Sequence, residues 1–121
     1  MLDQFTHAYV ACALWSSMDQ SDETGGEPLD KNYGIEDIDP QSLERMAAEC
    51  SQFQTEQAPL LEQAGSEAQN GRDFWLTRNG HGTGFCDSEY PSDVGEQLTA
   101  RCRVAGERDL YVGDDGKVYL S

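Results

Sequence analysis

Hydrophobic residues recur at helical spacing through the first eighteen positions of the chain. Within residues 3–18 the apolar stripe follows the i, i+3, i+4, i+7 pattern of one helix face, and residues 8–15 are apolar nearly all round. Such a segment is typical of a helix buried in a core. We therefore expect a central helix over residues 3–18, with a stripe formed by Phe5, Ala8, Tyr9, Cys12 and Trp15.

Residues 19–39 interrupt this pattern with acidic and turn-forming residues. The segment contains eight acids, three glycines and a proline, and it offers few apolar anchors. These features predict a long, largely irregular acidic loop. Its acids come close to the spacing of a calcium-binding loop, but Thr24 stands where that loop needs glycine and Asp30 where it needs glutamate. We predict no metal site and no cofactor.

A second amphipathic helix is predicted over residues 40–68. Asp39 and Pro40 form a strong helix start, because Asp caps the first turn and Pro fits its first position. At about 100° per residue, the apolar residues cluster on one face. Their phase continues through Pro59, which indicates one kinked helix or two nearly collinear helices. The other face carries five glutamates, Glu44, Glu49, Glu56, Glu62 and Glu67.

From residue 71 the period of the apolar residues changes to that of strands. The segments "DFWLTR" and "HGTGF" flank Asn79-Gly80, the commonest pair for a two-residue hairpin turn. A helix is predicted over 92–105, ending at Gly106, and "DLYV" and "KVYL" predict a second hairpin around "GDDG".

These elements predict one α+β domain over residues 1–121, with the order ααββαββ. Its N-terminal helices would pack on a four-stranded antiparallel sheet made of two hairpins joined by a helix. Residues 1–70 form the acidic helical part with the loop 19–39, and residues 71–121 form the ββαββ part.

The formal net charge of −15 on 121 residues is extreme, and it is unevenly distributed. Residues 1–70 hold 14 acids against two bases, whereas residues 71–121 hold nine acids against six bases. Such a field repels nucleic acids and anionic membranes, and it attracts basic surfaces. Three explanations stay open: a basic partner, adaptation to high salt, and solubility alone.

The cysteines and the apolar segments further limit the classes to which the protein could belong. Cys12, Cys50 and Cys102 fall on apolar helical stripes, which indicates buried free thiols. The sequence contains no CxxC motif and no Cys/His pair at the spacing of zinc ligands, so it predicts no zinc site. The N-terminal run "AYVACALW" is too short to span a bilayer. We expect a soluble protein that acts in the cytoplasm of a host cell.

The segment "DFWLTRNGHGTGFCD" has the composition of an active site, with Cys86 as a candidate nucleophile and His81 as a candidate base. In the predicted hairpin they face opposite sides and lie about 16 Å apart, at about 3.3 Å per residue, too far for proton transfer. The same residues fit a scaffold hairpin in which Arg78 pairs with His81 at an exposed tip and Trp75 lies over Gly84. We therefore predict no catalytic residue and no enzymatic activity. A small cysteine hydrolase is the least favoured alternative.

The C-terminal part, through "DFWLTRNGHGTGF" and "DLYVGDDGKVYL", resembles a small-protein module widespread in bacteriophages and mobile elements. The resemblance covers residues 73–121 and implies no catalytic residue. Small, strongly acidic proteins from such genomes are often inhibitors of host defence, and some of them are DNA mimics. The resemblance therefore favours, by analogy, an inhibitor of the anti-CRISPR type.

On these grounds we predict a non-enzymatic inhibitor that acts as a DNA mimic. It would occupy the basic DNA-binding surface of a host protein complex, with a CRISPR surveillance complex as the expected target, and would bind neither nucleic acid nor membrane directly. The alternative is an accessory phage protein-interaction domain whose charge serves solubility or high-salt adaptation. The predicted partner-binding surface comprises Glu44, Glu49, Glu56, Glu62, Glu67, Asp19, Asp22, Glu23, Glu27, Asp30, Glu36, Asp37 and Asp39.

Overall fold

The computed structural model of the protein describes residues 2–19, 27–80, 84–85 and 92–121. Within these residues the chain is mainly helical, and its strands form two separate two-stranded antiparallel pairs. The elements are α1 (Gln4–Ser16), β1 (Met18–Asp19), β2 (Glu27–Pro28), 3-10 turns at Leu29–Lys31 and Ile35–Asp37, α2 (Pro40–Glu56), α3 (Ala58–Leu61), α4 (Glu67–Arg78), α5 (Ser92–Ala105), β3 (Leu110–Val112) and β4 (Val118–Leu120).

The predicted central helix is confirmed as α1. Asp3 caps it by accepting a hydrogen bond from the backbone nitrogen of Thr6 at 2.8 Å. Tyr9 is fully buried, and its ring meets the indole of Trp75 edge-on with the ring centres 5.3 Å apart. The expected stripe fails at its end, because Trp15 is 60% exposed. The helix is therefore central, but its last turn leaves the core.

The predicted amphipathic helix after the acidic loop is confirmed in its first part as α2. Its inner face is apolar, with Met46, Cys50 and Phe53 all buried. Helix α2 ends at Glu56, and Pro59 lies in the first turn of the short helix α3, where its missing N–H costs nothing. The chain then leaves the helical conformation over 62–66, so the predicted helix does not continue to residue 68.

The predicted four-stranded sheet is wrong, because the segment "DFWLTR" forms the second half of helix α4. Ser66 starts this helix by accepting a hydrogen bond from the backbone nitrogen of Gln69 at 3.2 Å. Asn79 ends it, and Gly80 follows with φ +67°. The pair Asn79-Gly80 therefore serves as a helix end, where glycine in the left-handed region is common, and not as the turn of a hairpin.

Helices α1 and α4 approach each other closely at one glycine. A Cβ atom added to Gly71 would overlap the carbonyl oxygen of Phe5. The backbones of the two helices therefore touch at this position, and the aromatic side chains on either side of the contact complete the core. Among these, the rings of Phe53 and Phe74 stack with their centres 4.0 Å apart.

The second predicted hairpin is confirmed as β3 and β4, with Leu110 opposite Leu120. It packs on the start of α2 through backbone bonds, because Asp39 N donates to the carbonyl oxygen of Val118 at 2.8 Å. Leu120 N donates to the hydroxyl of Ser42 at 3.1 Å. These two hydrogen bonds join β4 to the beginning of α2.

The predicted helix over 92–105 is also confirmed, as α5, and Gly106 follows its end with φ +82°. Val94, Leu98 and Cys102 line its buried side, as the sequence predicts, whereas Ala105 is exposed. The described residues thus form a helical core closed by one small hairpin.

Candidate functional site

Four glutamates of the predicted surface are exposed on the segment from α2 to the start of α4. Glu44 and Glu56 lie on α2, Glu62 follows α3, and Glu67 is the first residue of α4. None of the four forms an ion pair with a residue that the structure describes. Their carboxylates therefore present negative charge to solvent.

Glu49, the remaining glutamate of the predicted ladder, turns inward from α2. Its Oε1 accepts a hydrogen bond from Nη1 of Arg78 at 2.6 Å, and its Oε2 accepts one from Nε of Arg108 at 3.0 Å. Burial alone raises the pKa of Glu49, but the hydrogen bonds and charges of Arg108 and Arg78 outweigh burial and hold the pKa below its ordinary value. Glu49 is therefore ionised and neutralised within the fold.

The acids of the loop are described only in part. Asp30 and Glu36 are exposed, like the four glutamates. The side chains outside the described part of the structure are those of Asp19, Asp22, Glu23 and Glu27. The exposed carboxylates of the loop that can be placed are therefore those of Asp30 and Glu36.

Two further acids of the loop hold backbone groups. Asp37 accepts a hydrogen bond from the backbone nitrogen of Gly34 at 2.8 Å. Asp39 caps α2 by accepting one from the backbone nitrogen of Ser42 at 3.1 Å. Both side chains are partly buried, so they shape the loop more than they extend the charged surface.

Arg78 lies in the core, 4% exposed, and joins four parts of the chain. Besides its bond to Glu49, it donates from Nη1 to the hydroxyl of Tyr9 at 3.0 Å. It also donates from Nη2 to the carbonyl oxygen of Ala105 at 3.0 Å and from Nε to that of Gly106 at 2.7 Å. The prediction that Arg78 lies at the exposed tip of a hairpin is therefore wrong, because α4 directs its side chain into the core, towards the C-terminal end of α5.

The candidate nucleophile and base, Cys86 and His81, lie outside the described residues. The three remaining thiols, Cys12, Cys50 and Cys102, are buried as predicted. Burial raises the pKa of Cys12 to about 11, and it raises that of Cys50 still further. These two thiols are therefore protonated near neutral pH and poorly nucleophilic.

An apolar groove between α1 and α4 is the feature that the sequence pattern did not reveal. It has a volume of about 790 Å³. Small side chains, Ala8, Ala11 and Ala68, lie along it, and Leu76 contributes to the α4 side. The exposed Trp15 lines it near the C-terminal end of α1. The groove thus combines apolar surface with a large aromatic side chain that is mostly exposed.

Charged residues also line this groove. Asp3 lies at the N-terminal end of α1, Asp30 belongs to the first 3-10 turn, and Arg72 lies on α4. The spacing of Ala8, Ala11 and Trp15 places them on one face of α1, which lines the groove. The sequence pattern did not distinguish this face, because a helix that is apolar nearly all round is expected to be buried on every side.

The described residues also lack two features that would indicate other functions. No helix among them is both long and apolar enough to cross a membrane. Within the same residues, no group of three or more His, Cys, Asp or Glu side chains is arranged to hold a metal ion.

Comparison of the chain with known protein families, with curated proteins and with solved structures found no match. The resemblance of residues 73–121 to a phage module therefore stays a prediction. The function has to be argued from the surface and the groove themselves.

Proposed function

We propose that the protein is a non-enzymatic inhibitor that places its carboxylates on a basic, nucleic-acid-binding surface of another protein complex. The observation that carries this proposal is the set of exposed glutamates Glu44, Glu56, Glu62 and Glu67, which form no ion pair with any residue in the described part of the chain. An ordinary solvated helix gains stability from acid–base pairs at i, i+4. Here the exposed acids are left without such pairs, which favours a partner that supplies the positive charge.

The spacing of the glutamates defines what kind of mimicry is possible. Glu44 and Glu56 are about 18 Å apart along α2, at about 1.5 Å per residue. Duplex DNA carries one charge per about 1.7 Å of its axis. The helix alone is therefore far sparser than a DNA backbone. We infer that the protein imitates the electrostatic field of DNA through the whole acidic N-terminal part, and not the position of each phosphate.

The proposed target is a DNA-binding complex of host defence, with a CRISPR surveillance complex as the first candidate. This part of the proposal draws on the resemblance of residues 73–121 to proteins of phages and mobile elements. It also draws on the net charge of −15, which suits competition with DNA for lysines and arginines. Carboxylates bound to those side chains would block the entry of DNA without any chemical reaction.

The test is a DNA-binding assay with purified defence complexes, among them a CRISPR surveillance complex and a restriction endonuclease. We expect the protein to prevent DNA binding by at least one of them, and to do so less well as salt is raised. Reversing Glu44, Glu56 and Glu62 together to Lys should weaken the inhibition at least tenfold.

A matched control reverses the same number of charges elsewhere. Asp93, Glu96 and Glu107 are also exposed, in α5 and the segment after it. Changing these three to Lys alters the net charge equally but leaves the α2–α3 surface intact. Equal loss in both variants would mean that only total charge matters, and no loss in either would refute the proposed surface.

A second candidate function is that of an accessory protein-interaction domain, with the charge serving solubility. The apolar groove with its exposed Trp15 favours this candidate, because an exposed indole beside apolar surface is typical of protein-binding sites. The two candidates differ in the surface that the partner contacts. Variants of the glutamates and variants of the groove therefore separate them.

A further inference from the structure

We propose that the groove between α1 and α4 binds a short amphipathic α-helix of a partner protein, with basic residues near both ends of that helix. This inference rests on the proposed function only in taking the partner to be a basic protein. It concerns different residues, and it would hold if the partner did not bind DNA.

The shape of the groove favours a helix as its occupant. From Gln4 to Trp15 the α1 side is about 16 Å long, at about 1.5 Å per residue, which matches three turns of a second helix. The residues along it are mostly small, with Ala8 and Ala11 on α1 and Ala68 on α4. Small residues allow the backbone of a partner helix to approach closely, so that its apolar side chains can fill the volume of about 790 Å³.

Trp15 supplies the anchor for this occupant. Its side chain lines the groove and is 60% exposed, whereas Trp75 in the adjacent helix is 2% exposed and donates a hydrogen bond to the hydroxyl of Ser16 at 2.8 Å. Tryptophan is enriched among the few residues that contribute most of the binding energy at protein interfaces. The exposed indole therefore marks the end of the groove at which contact with the partner is strongest.

The charges around the groove indicate which charges the bound helix should carry. Asp3 caps the N-terminal end of α1, and Asp30 follows Leu29, whose backbone nitrogen donates to the carbonyl oxygen of Ser17 at the other end of the helix. The protein as a whole carries a net charge of −15. Lysine or arginine near each end of the bound helix would meet these carboxylates. Arg72 lies on the α4 side, so an acidic or amide residue near the middle of the helix would complement it.

The experiment uses the full-length protein and three synthetic peptides of about fourteen residues. The first has an apolar stripe at helical spacing with lysines near both ends, the second has glutamates in place of the lysines, and the third has the first composition in scrambled order. Binding is measured by isothermal titration calorimetry and by the fluorescence of Trp15 in a Trp75→Phe background. We expect the first peptide to bind at least tenfold more tightly than the other two.

Two groove variants locate the binding. Trp15→Ala removes the anchor, and Ala11→Gln places a longer side chain in the groove at an exposed helical position. Each should weaken binding of the basic peptide at least tenfold while circular dichroism and the melting temperature stay close to those of the parent protein. The variant with Glu44, Glu56 and Glu62 changed to Lys should bind the same peptide within a few-fold, because those residues do not line the groove.

Four results would overturn the inference. The first three are no binding of the basic peptide at millimolar concentration, equal binding of the acidic or scrambled peptide, and undiminished binding to both groove variants. The fourth is self-association of the free protein that is abolished by Trp15→Ala, since a second copy would then be the occupant. If the variant with Glu44, Glu56 and Glu62 changed to Lys no longer competes with DNA but still binds the basic peptide, the two surfaces act independently. This inference and the proposed inhibitor function can therefore fail separately.

Discussion

Nη1 of Arg78 lies 2.6 Å from Oε1 of Glu49, and the two side chains are 2% and 22% exposed. Arg108 approaches the same carboxylate from its more exposed side, with 2.9 Å between its Nη2 and Oε2 of Glu49. One glutamate of α2 thus forms ion pairs with two arginines from the C-terminal half of the chain. The ion pair ties the acidic and the less acidic halves together inside a single core.

Replacing Arg78 should destabilise the fold strongly. In Arg78→Met the carbonyl oxygens of Ala105 and Gly106 lose their donor, and Glu49 loses its buried partner. We expect the free energy of unfolding to fall by roughly 3 kcal/mol, as is typical when one member of a buried pair is removed. Urea unfolding followed by circular dichroism measures the change. Arg101→Met, at an exposed site on α5, is the control and should change stability by less than about 0.5 kcal/mol.

The same ion pair predicts a pH dependence of stability. The lowered pKa of Glu49 means that the folded state holds its proton less tightly than the unfolded state, where the pKa is near 4.5. The stabilisation is therefore complete above that value and is lost as pH falls through the lower folded-state pKa.

We expect the parent protein to be more stable than Glu49→Gln at about pH 7, and the difference to shrink between about pH 5 and pH 3. Urea unfolding of both proteins at each pH gives this difference directly. The other carboxylates are the same in both proteins, so their contributions cancel in the difference. A difference that is the same at about pH 7 and at about pH 3 would contradict the assigned ion pair. Glu56→Gln, at an exposed position on the same helix, is the control for the substitution itself.

Gly71→Ala should destabilise the protein although alanine is the better helix former. The added Cβ would overlap the carbonyl oxygen of Phe5 and force α1 and α4 apart. Overpacking of this kind costs about 1–3 kcal/mol, which exceeds the gain in helix propensity of about 1 kcal/mol. The melting temperature should therefore fall. Gly80→Ala provides the comparison, since a Cβ there meets open space and only its φ of +67° opposes the change.

The buried thiols should be protected from reagents in the folded state. A Cys86→Ser background confines the measurement to Cys12, Cys50 and Cys102. We expect these thiols to react with a disulfide reagent at about pH 8 at least a hundredfold more slowly in the native protein than in denaturant, because burial keeps all three out of contact with the reagent. Burial also raises the pKa of Cys12 and Cys50, which keeps these two thiols protonated. Rapid reaction of one thiol in the native protein would show that its helix opens readily.

The sequence allowed accurate prediction where apolar residues alone mark the buried face. Helix α1, the first part of α2, helix α5 and the hairpin of β3 and β4 follow from such patterns and from their caps. The prediction failed at α4, where six residues are buried: Asn70, Gly71, Asp73, Phe74, Trp75 and Arg78. Gly71, Phe74, Trp75 and Arg78 follow the i, i+3, i+4, i+7 spacing of a helix. Only two of the six buried residues are hydrophobic, so the apolar pattern did not indicate a helix.

The role of individual acids could not be predicted from their helical angle. Glu49 and Glu67 fall at the same angle on a continuous helix, at about 100° per residue. In the structure one is paired inside the fold and the other is exposed at the start of a new helix. The difference arises from the break at 62–66 and from Arg78, which reaches Glu49 only through tertiary packing.

The contact between Gly71 and Phe5 also bears on selectivity. Because the two backbones already touch, the α1–α4 pair cannot close further, and it can widen only by separating the helices that hold the aromatic core. A groove built on such a pair offers its occupants one fixed width. It would discriminate between helices by the size of their side chains, unlike the adaptable methionine-rich surfaces with which promiscuous proteins accept many partners.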